Sequence, residues 1–179
     1  MKKLIILVTV PVVLQTWLKK QPKFLSQHFD VEIITSNSNN IKDIEAFEGV
    51  PIKIVDFNRK INFLKDLKVL VLLMIYFLKK RPYIVYTLTP KSGLLGMLAA
   101  FLCGIKNRIH NVVGLPHVEA SGKRKFILIF TERLTYFCAT KLYCNSINLV
   151  MEMKKLTKKD VSVIGNGSVN GVDIEFFKN

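Results

Sequence analysis

Strand-like apolar runs alternate with helix-length segments along almost the whole chain, and this alternation restricts the fold more than any other feature. The first run, residues 4–10, begins with five consecutive apolar residues, 4–8, that are rich in branched side chains, as in parallel strands buried on both faces. Further strands are predicted at 31–35, 52–55, 84–88, 108–113, 141–144 and 161–164, with helices at 15–28, 63–80, 92–103, 123–139 and 147–156. This order predicts an α/β, Rossmann-like three-layer domain with a mainly parallel sheet of about seven strands.

The chain carries a large positive charge for its size. Its 179 residues include 27 Lys and Arg against 13 Asp and Glu, a net charge of +14, and half of the residues are hydrophobic. Such a chain can bury a core, which excludes disorder, and its charge indicates an anionic partner. No helix-turn-helix, RRM or zinc pattern is present, so we predict no nucleic-acid partner. Cys103, Cys138 and Cys144 lack CxxC spacing and are interpreted as small buried side chains in a reducing cytosol.

Basic clusters beside aromatic residues favour contact with an anionic membrane surface, although each cluster taken singly is explained as a solvated helix end. The aromatic residues are Trp17, Phe24, Phe126 and Phe130. The apolar runs 69–78 and 94–103 are each about half of the ~20 residues that a spanning helix needs, so no transmembrane helix is predicted. The N-terminal lysines and apolar run imitate an export signal, but Pro11 interrupts the run and no cleavage site comes after it.

Small, hydroxylated and amide residues recur where the predicted strands end. In an open parallel sheet, ligands bind beyond the carboxyl ends of the strands. Thr9 lies at the end of the first predicted strand, segment 89–93 follows the fourth, and Gly114 follows the fifth. Thr89 before a proline predicts a capped helix start, where backbone N–H groups and the charge of Lys91 could hold an anion or a hydroxyl group. The alternative interpretations are a stable helix start and a tight turn at Gly114.

The most distinctive run is the glycine- and asparagine-rich segment 165–173. Its composition predicts several positive-φ positions in a specified loop. It lacks the GxGxxG spacing of a dinucleotide fingerprint and the GK[ST] of a P-loop. An unspecialised flexible loop is the alternative. We predict a domain over 1–164 and the start of a linker over 165–179.

Several motifs stand in a characteristic order along essentially the whole chain. They are the segments 9–11, 57–61 with 65–67, 81–86, 89–96, 108–110 with 114–116, 132–135 and 165–173. In this order they resemble the N-terminal, acceptor-side domain of GT-B fold glycosyltransferases of family four. The resemblance is nearest to bacterial enzymes that build capsule, O-antigen or exopolysaccharide repeats. Its most specific parts are Thr-Pro-Lys at 89–91 and Gly-Asn-Gly-Ser at 165–168, taken in combination.

The resemblance implies a retaining, metal-independent transfer from a nucleotide sugar to a polyprenyl-diphosphate-linked sugar at the cytoplasmic face of the cell membrane. The nucleotide sugar is the co-substrate, and no cofactor or metal is expected. No catalytic residue is assigned. The residues expected to bind the acceptor are Arg59, Thr89, Lys91, Ser92, Gly93, Gly114 and His117, with the Arg59 guanidinium suited to the diphosphate. The residues expected beside the donor are Thr9, Asn166, Gly167 and Ser168.

Two features depart from the family pattern. The sequence ends at Asn179, where the donor-binding domain with its paired glutamates would begin, and Val113 stands where many relatives have a histidine. A lone histidine is usually structural, so neither His110 nor His117 is assumed to replace it. We expect that this chain alone cannot transfer sugar. The alternatives to a glycosyltransferase half are a non-catalytic acceptor-binding subunit with a separate donor-binding chain, and an inactive truncated product.

Overall fold

A seven-stranded parallel sheet lies at the centre of the computed structural model, which describes residues 1–58 and 62–171. The strands lie in the order β3-β2-β1-β4-β5-β6-β7, and each neighbouring pair is parallel. The predicted α/β class and the predicted sheet are therefore confirmed. The strands are β1 Lys3–Leu7, β2 Asp30–Thr35, β3 Ile52–Ile54, β4 Ile84–Thr87, β5 Asn107–Val112, β6 Lys141–Cys144 and β7 Val161–Val163.

Helices cover both faces of the sheet and create two separate apolar cores. In the described part of the chain they are α1 Val12–Gln15, α2 Gln21–Leu25, α3 Ile41–Glu48, α4 Phe63–Lys80, α5 Pro90–Leu102, α6 Gly122–Cys138 and α7 Ile147–Lys154. On one face, Leu14 and Ile44 of α1 and α3 pack with β1 and β2. On the other, Phe77, Met97 and Tyr136 of α4, α5 and α6 form part of the larger core. Burial on both faces explains why the strands read as continuous apolar runs.

The strand order reverses between β1 and β4, which are neighbours at the middle of the sheet. Leu7 at the end of β1 lies opposite Thr87 at the end of β4. The connections that leave these two strands run to opposite faces, so a crevice opens beyond their carboxyl ends. Any ligand site of this fold is expected at that edge, which we call the carboxyl edge.

The predicted helix 15–28 is wrong as a single helix. The chain instead forms α1 and α2, separated by a turn in which Lys20 takes a left-handed conformation with φ of +66°. Pro22 lies in the first turn of α2 and explains the break, because proline has no N–H to donate to a preceding turn and its ring clashes with the carbonyl group there, so it is tolerated where a helix starts and not in its interior. The buried Glu48 carboxylate accepts hydrogen bonds from the backbone N–H groups of Lys20 and Lys23, at 2.9 and 3.3 Å, and so caps α2 from outside.

The remaining helices occur near their predicted positions. α5 begins at Pro90 with Thr89 as its N-cap, as the Thr-Pro pair predicts, and Gly104 follows its end with φ of +68°. The segment between β2 and β3 contains the short helix α3. Among the described residues, no helix is long and apolar enough to cross a membrane.

Candidate functional site

Three hydroxyl groups meet at the reversal point of the sheet. Thr9 lies just beyond β1, and its backbone N–H donates to Thr89 Oγ1 at 3.0 Å. The Thr9 and Thr89 hydroxyl oxygens are 2.5 Å apart, and Ser92 Oγ lies 2.7 Å from Thr89 Oγ1. All three residues are buried. These hydrogen-bonded hydroxyl groups connect the segment after β1 to the start of α5, at the centre of the carboxyl edge.

The charge of Lys91 is held between α5 and the start of α4. Its Nζ atom lies 2.7 Å from Asp66 Oδ1 and also donates to the carbonyl oxygen of Asn58. Asp66 stands in the first turn of α4, where a carboxylate interacts favourably with the helix dipole. The ammonium group therefore bridges two helix starts at the carboxyl edge.

Gly93 allows α5 to lie directly against the His110 ring. A Cβ atom at Gly93 would stand 2.4 Å from His110 Cε1, which is closer than side chains approach one another. His110 is buried and its Nδ1 lies 2.7 Å from Thr87 Oγ1. Burial lowers the pKa of His110 to about 4, and the bond to Thr87 only partly opposes this. His110 is thus a neutral packing residue beneath the site.

The loop between β5 and α6 contains Gly114 and His117 and is fastened to α6 by a hydrogen bond between His117 and Glu132. His117 Nδ1 lies 2.7 Å from Glu132 Oε2, and both side chains are about nine-tenths buried. Burial raises the pKa of the Glu132 carboxyl group, although its contacts with His117 act in the opposite direction. Gly114 is exposed at the surface of this loop.

A small cavity lies beneath this loop, between the ends of β4 and β5 and the second half of α6. Its volume is about 20 Å³. His110, Glu132 and Tyr136 line it, together with Leu88, Pro90, Val112, Gly114, Pro116, Leu128, Thr131 and Thr135. Glu132 Oε1 and the Tyr136 hydroxyl group are buried and have no hydrogen-bond partner among the described residues. Two residues that line this cavity therefore each carry a buried oxygen without a hydrogen bond in the described part of the chain.

The loop after β7 spans the carboxyl edge. At Gly167, φ is +86° and a Cβ atom would lie 2.7 Å from the carbonyl oxygen of Asn145, which follows β6. Asn170 Nδ2 donates to the carbonyl oxygen of Lys19, in the segment after β1, at 2.8 Å. Because β4 and β5 lie between β6 and β1, the loop passes the ends of these two central strands.

The predicted site residues fall into separate groups. Thr9, Thr89 and Ser92 are in direct contact. The resemblance had implied that Thr9 lies beside the donor and that Thr89 and Ser92 bind the acceptor. Asn166 is exposed, and Ser168 Oγ accepts a hydrogen bond from the N–H of Gly171 within the loop. Arg59 lies outside the described residues. The roles given to all of these residues stay predictions.

Sequence reasoning gave no role to Asp66, Glu132 or Tyr136. The available signal for the last two was an acid and a tyrosine one helical turn apart, which places both on the same face of α6. Asp66 carried a weaker signal, as the single acid in the first turn of a long helix that ends in lysines. No three His, Cys, Asp or Glu side chains group as metal ligands within residues 1–58 and 62–171.

A doubly wound parallel sheet covered by helices on both faces defines a Rossmann-like α/β domain, and its solved neighbours are of the GT-B type. One is the Anabaena protein HepE in complex with UDP, with a TM-score of 0.69 and 14% identity over 99% of this chain and 46% of that one. Another is MurG of Acinetobacter baumannii, with a TM-score of 0.65 and 17% identity over 97% of this chain and 47% of that one. At these identities the likeness establishes the fold.

The chain belongs to the glycosyl transferase 4-like family, which it matches over residues 7–146. It is 32% identical to the capsular polysaccharide biosynthesis glycosyltransferase CapM of Staphylococcus aureus, over 90% of this chain and 43% of that protein. It is 31% identical to the UDP-Gal:alpha-D-GlcNAc-diphosphoundecaprenol alpha-1,3-galactosyltransferase of Escherichia coli, over 85% of this chain and 39% of that protein. The chain thus spans less than half the length of these relatives. The predicted family membership is confirmed.

Proposed function

We propose that this chain is the acceptor-binding part of a glycosyltransferase for bacterial surface polysaccharide. The reaction moves a sugar from a nucleotide sugar to a polyprenyl-diphosphate-linked saccharide, with no metal or further cofactor. The observation that carries the proposal is the 31% identity, over 85% of the chain, with an enzyme whose name specifies a sugar on diphosphoundecaprenol. The capsular relative supports the same class of product.

The carboxyl edge offers groups that suit a saccharide. Beside the ends of β1, β2 and β3 there is an open cavity of about 330 Å³, within the size range of small-molecule sites. Its polar lining includes Gln15, Asn37, Asn40 and Asp56. Amide groups can donate to and accept from sugar hydroxyl groups, and a carboxylate can accept from them. This cavity and the hydroxyl groups at Thr9 and Thr89 support acceptor binding along one edge.

The experiment measures binding and turnover separately. The probe is N-acetylglucosaminyl diphosphate attached to a short prenyl chain, titrated into the purified chain by calorimetry. We expect saturable binding, weakened on the order of tenfold by Asp56→Asn, because a charged hydrogen-bond acceptor is lost. Asp160→Asn, which changes an exposed aspartate outside the site, is the matched control. Failure of the chain to bind the probe would contradict the proposal.

Turnover distinguishes a binding part from a complete enzyme. Given the probe and a panel of nucleotide sugars, the isolated chain is expected to release no nucleoside diphosphate. Transfer requires the departing diphosphate and the acceptor to be held together. Release is expected after addition of a chain that supplies a donor-binding domain. Turnover by the isolated chain would show that no separate donor-binding chain is needed.

We further propose that the protein is cytoplasmic and peripheral on the inner face of the membrane, held by the helix layer α4–α6. Phe63 and Leu64 of α4 and Phe126 and Phe130 of α6 are exposed, each by two-thirds or more. α5 packs against both helices and joins them into one surface. Lysines and arginines at 65, 68, 79–81, 123–125 and 133 accompany these side chains. Apolar insertion together with cationic residues suits an anionic lipid surface.

Trp17 and Phe24 lie in the other helix layer, and this gives the membrane experiment an internal control. Sedimentation with phosphatidylglycerol vesicles is expected to be strong at low salt and weak at high salt, and neutral vesicles are expected to bind little. Lys123, Arg124 and Lys125 replaced together by Gln should weaken binding roughly a hundredfold, at about 1 kcal/mol per charge. Trp17→Ser with Phe24→Ser should change binding little. Equal binding to neutral vesicles would contradict this part of the proposal.

A further inference from the structure

The ammonium group of Lys91, at the start of α5, is enclosed by residues from other segments of the carboxyl edge. The Lys91 side chain is 15% exposed and that of Asp66 is 17% exposed, and their Nζ and Oδ1 atoms are 2.7 Å apart. The other oxygen of the Asp66 carboxylate accepts a hydrogen bond from the backbone N–H of Asn62, the N-cap of α4, at 3.3 Å. Asp66 is therefore fixed at the start of its own helix, and it fixes Lys91 in turn.

The same Nζ atom also donates a hydrogen bond to the backbone carbonyl oxygen of Asn58. Asn58 belongs to the segment that leaves β3, and β3 is the strand at one edge of the sheet. An edge strand has a neighbouring strand on one side only, so the chain that leaves it receives fewer contacts from the sheet. Lys91 supplies a contact to this segment from α5.

The two residues before Asn58 line the open cavity of about 330 Å³ that we propose for the saccharide. They are Asp56, which is exposed, and Phe57, which is 4% exposed. The backbone N–H of Phe57 donates to Ser36 Oγ at 3.1 Å, and Ser36 lines the cavity from the segment after β2. The part of the cavity wall formed by Asp56 and Phe57 is thus held by Ser36 and, through Asn58, by Lys91.

Lys91 and Asp66 lie behind this wall, since neither residue lines the cavity. The positive charge of Lys91 is balanced by a carboxylate at hydrogen-bond distance, so an incoming anion would have to compete with Asp66 for the ammonium group. The hydrogen bond to Asn58 is made without any ligand. The position of Lys91 therefore favours an indirect role, in contrast to the direct acceptor contact that the resemblance implies.

We propose that Lys91 is a positioning residue of the acceptor cavity, which holds Asn58 and thereby the wall formed by Asp56 and Phe57, while Asp66 fixes its ammonium group. This inference rests on the proposed acceptor function and adds to it the residues that keep the cavity in its binding shape. Asp56 can accept hydrogen bonds from saccharide hydroxyl groups while the wall is in place. Without Lys91 the wall has to be ordered when the saccharide binds, and this ordering reduces affinity.

The sign of the effect of Asp66→Asn distinguishes positioning from direct contact. The whole chain is titrated by calorimetry with N-acetylglucosaminyl diphosphate attached to a short prenyl chain. A positioning role predicts that Asp66→Asn weakens binding about threefold, because the Lys91 ammonium group loses its charged partner. Direct contact with the diphosphate predicts stronger binding, because the change releases the ammonium group and removes a negative charge near an anion. Unchanged or stronger binding would overturn the inference.

A double-mutant cycle tests whether Lys91 acts through the cavity wall. Lys91→Met keeps the length of the side chain and removes its donors, and it should weaken probe binding on the order of tenfold, as Asp56→Asn does. The double variant should bind about as weakly as Lys91→Met alone, because Asp56 contributes little once its segment is released. Independent losses that multiply to about a hundredfold would overturn the inference and leave the acceptor function standing. Absence of probe binding by the unchanged chain would overturn both.

Hydrogen exchange gives a further measurement that needs no ligand. In Lys91→Met the Phe57 amide, which donates to Ser36, should exchange roughly tenfold faster, because its segment opens more often. Lys155→Met is the matched control: it removes an ion pair of the same 2.7 Å length, with Glu152 of α7, outside the cavity. It should change neither this exchange rate nor the affinity for the probe, and thermal melting of each variant checks that the fold is intact. Unchanged exchange of the Phe57 amide in Lys91→Met would also overturn the inference.

Discussion

Two buried glutamates, one toward each end of the sheet, are used in opposite ways. Glu32 of β2 lies toward the amino ends of the strands, where it receives a hydrogen bond from the Tyr76 hydroxyl group and lies 3.4 Å from Lys3 Nζ and 3.8 Å from Lys80 Nζ. Glu132 of α6 lies at the carboxyl edge with His117 as its hydrogen-bond partner and with one oxygen that has no hydrogen bond among the described residues.

The difference shows where the hydrogen bonds of a buried carboxylate are supplied by the chain and where one of its oxygens has none among the described residues. Each of these partners of Glu32 belongs to the chain, so its contacts are complete in the folded protein. Glu132 has one such contact, with His117 at 2.7 Å, and its second oxygen is buried. A buried carboxylate oxygen without a hydrogen bond is unfavourable by roughly 1–3 kcal/mol, so the two glutamates are expected to contribute differently to stability.

The largest expected effect comes from removing the charge of each glutamate in turn. Glu32→Gln should lower the free energy of unfolding by about 2–3 kcal/mol, since it leaves two lysines and a tyrosine without a carboxylate in a partly buried place. Glu132→Gln should lower the free energy of unfolding by less than about 1 kcal/mol, because one of the Glu132 carboxylate oxygens already has no hydrogen bond among the described residues. Urea denaturation of both variants measures the difference. Equal losses would contradict the contrast between the two ends.

Close packing at the carboxyl edge gives the next effect. Gly93→Ala should lower the free energy of unfolding by about 2 kcal/mol, because its Cβ would stand 2.4 Å from the buried His110 ring. Gly114→Ala is the matched change, since nothing lies within 4 Å of a Cβ at that position. It should alter stability by less than about 0.5 kcal/mol. Similar stabilities for the two variants would show that His110 can move away from α5.

The pH dependence of stability tests the neutral state of His110. Its pKa is about 4 in the folded chain, against about 6.5 when unfolded, so the unfolded state binds more protons between these values. Its contribution is therefore present above pH 6.5 and lost as the pH falls toward 4. Between pH 7 and 5 the loss should be roughly 1.5–2 kcal/mol. His110→Gln should show a smaller decline over this range, by urea denaturation at each pH.

The smallest effects come from a pair of tyrosines that lose only a hydroxyl group. Tyr76→Phe should lower the free energy of unfolding by about 1 kcal/mol, because the Tyr76 hydroxyl group donates to Glu32. Tyr136→Phe should change it by less than about 0.5 kcal/mol in the absence of ligand, since its hydroxyl group has no partner among the described residues. Thermal melts of both variants make the comparison. A larger loss for Tyr136→Phe would reveal a strong bond to a buried water molecule.

The sequence by itself determined the fold class, because periodicity is a local property. Continuous branched runs such as Leu4 to Val8 predict buried parallel strands, and Thr89 before Pro90 predicts a helix start. It also placed Thr9, Thr89 and Gly114 at strand ends, since chain order fixes which residues come directly after each strand. The predicted helix at 15–28 was wrong. Pro22 breaks the helix there, and the buried carboxylate of Glu48, which belongs to α3, stabilises the turn between α1 and α2.

Only the tertiary structure decided which side chains meet. Thr9 and Thr89 are 80 residues apart, and they touch because β1 and β4 are neighbours at the reversal of the sheet. Glu132 is an ordinary helical acid in the sequence. Only the tertiary structure shows that one of its oxygens is buried without a hydrogen bond among the described residues, and that the residue lines a cavity formed by three separate segments. Hydrogen bonds and desolvation depend on positions in space, so residue type and spacing indicate where a site lies but not which atoms in it remain unsatisfied.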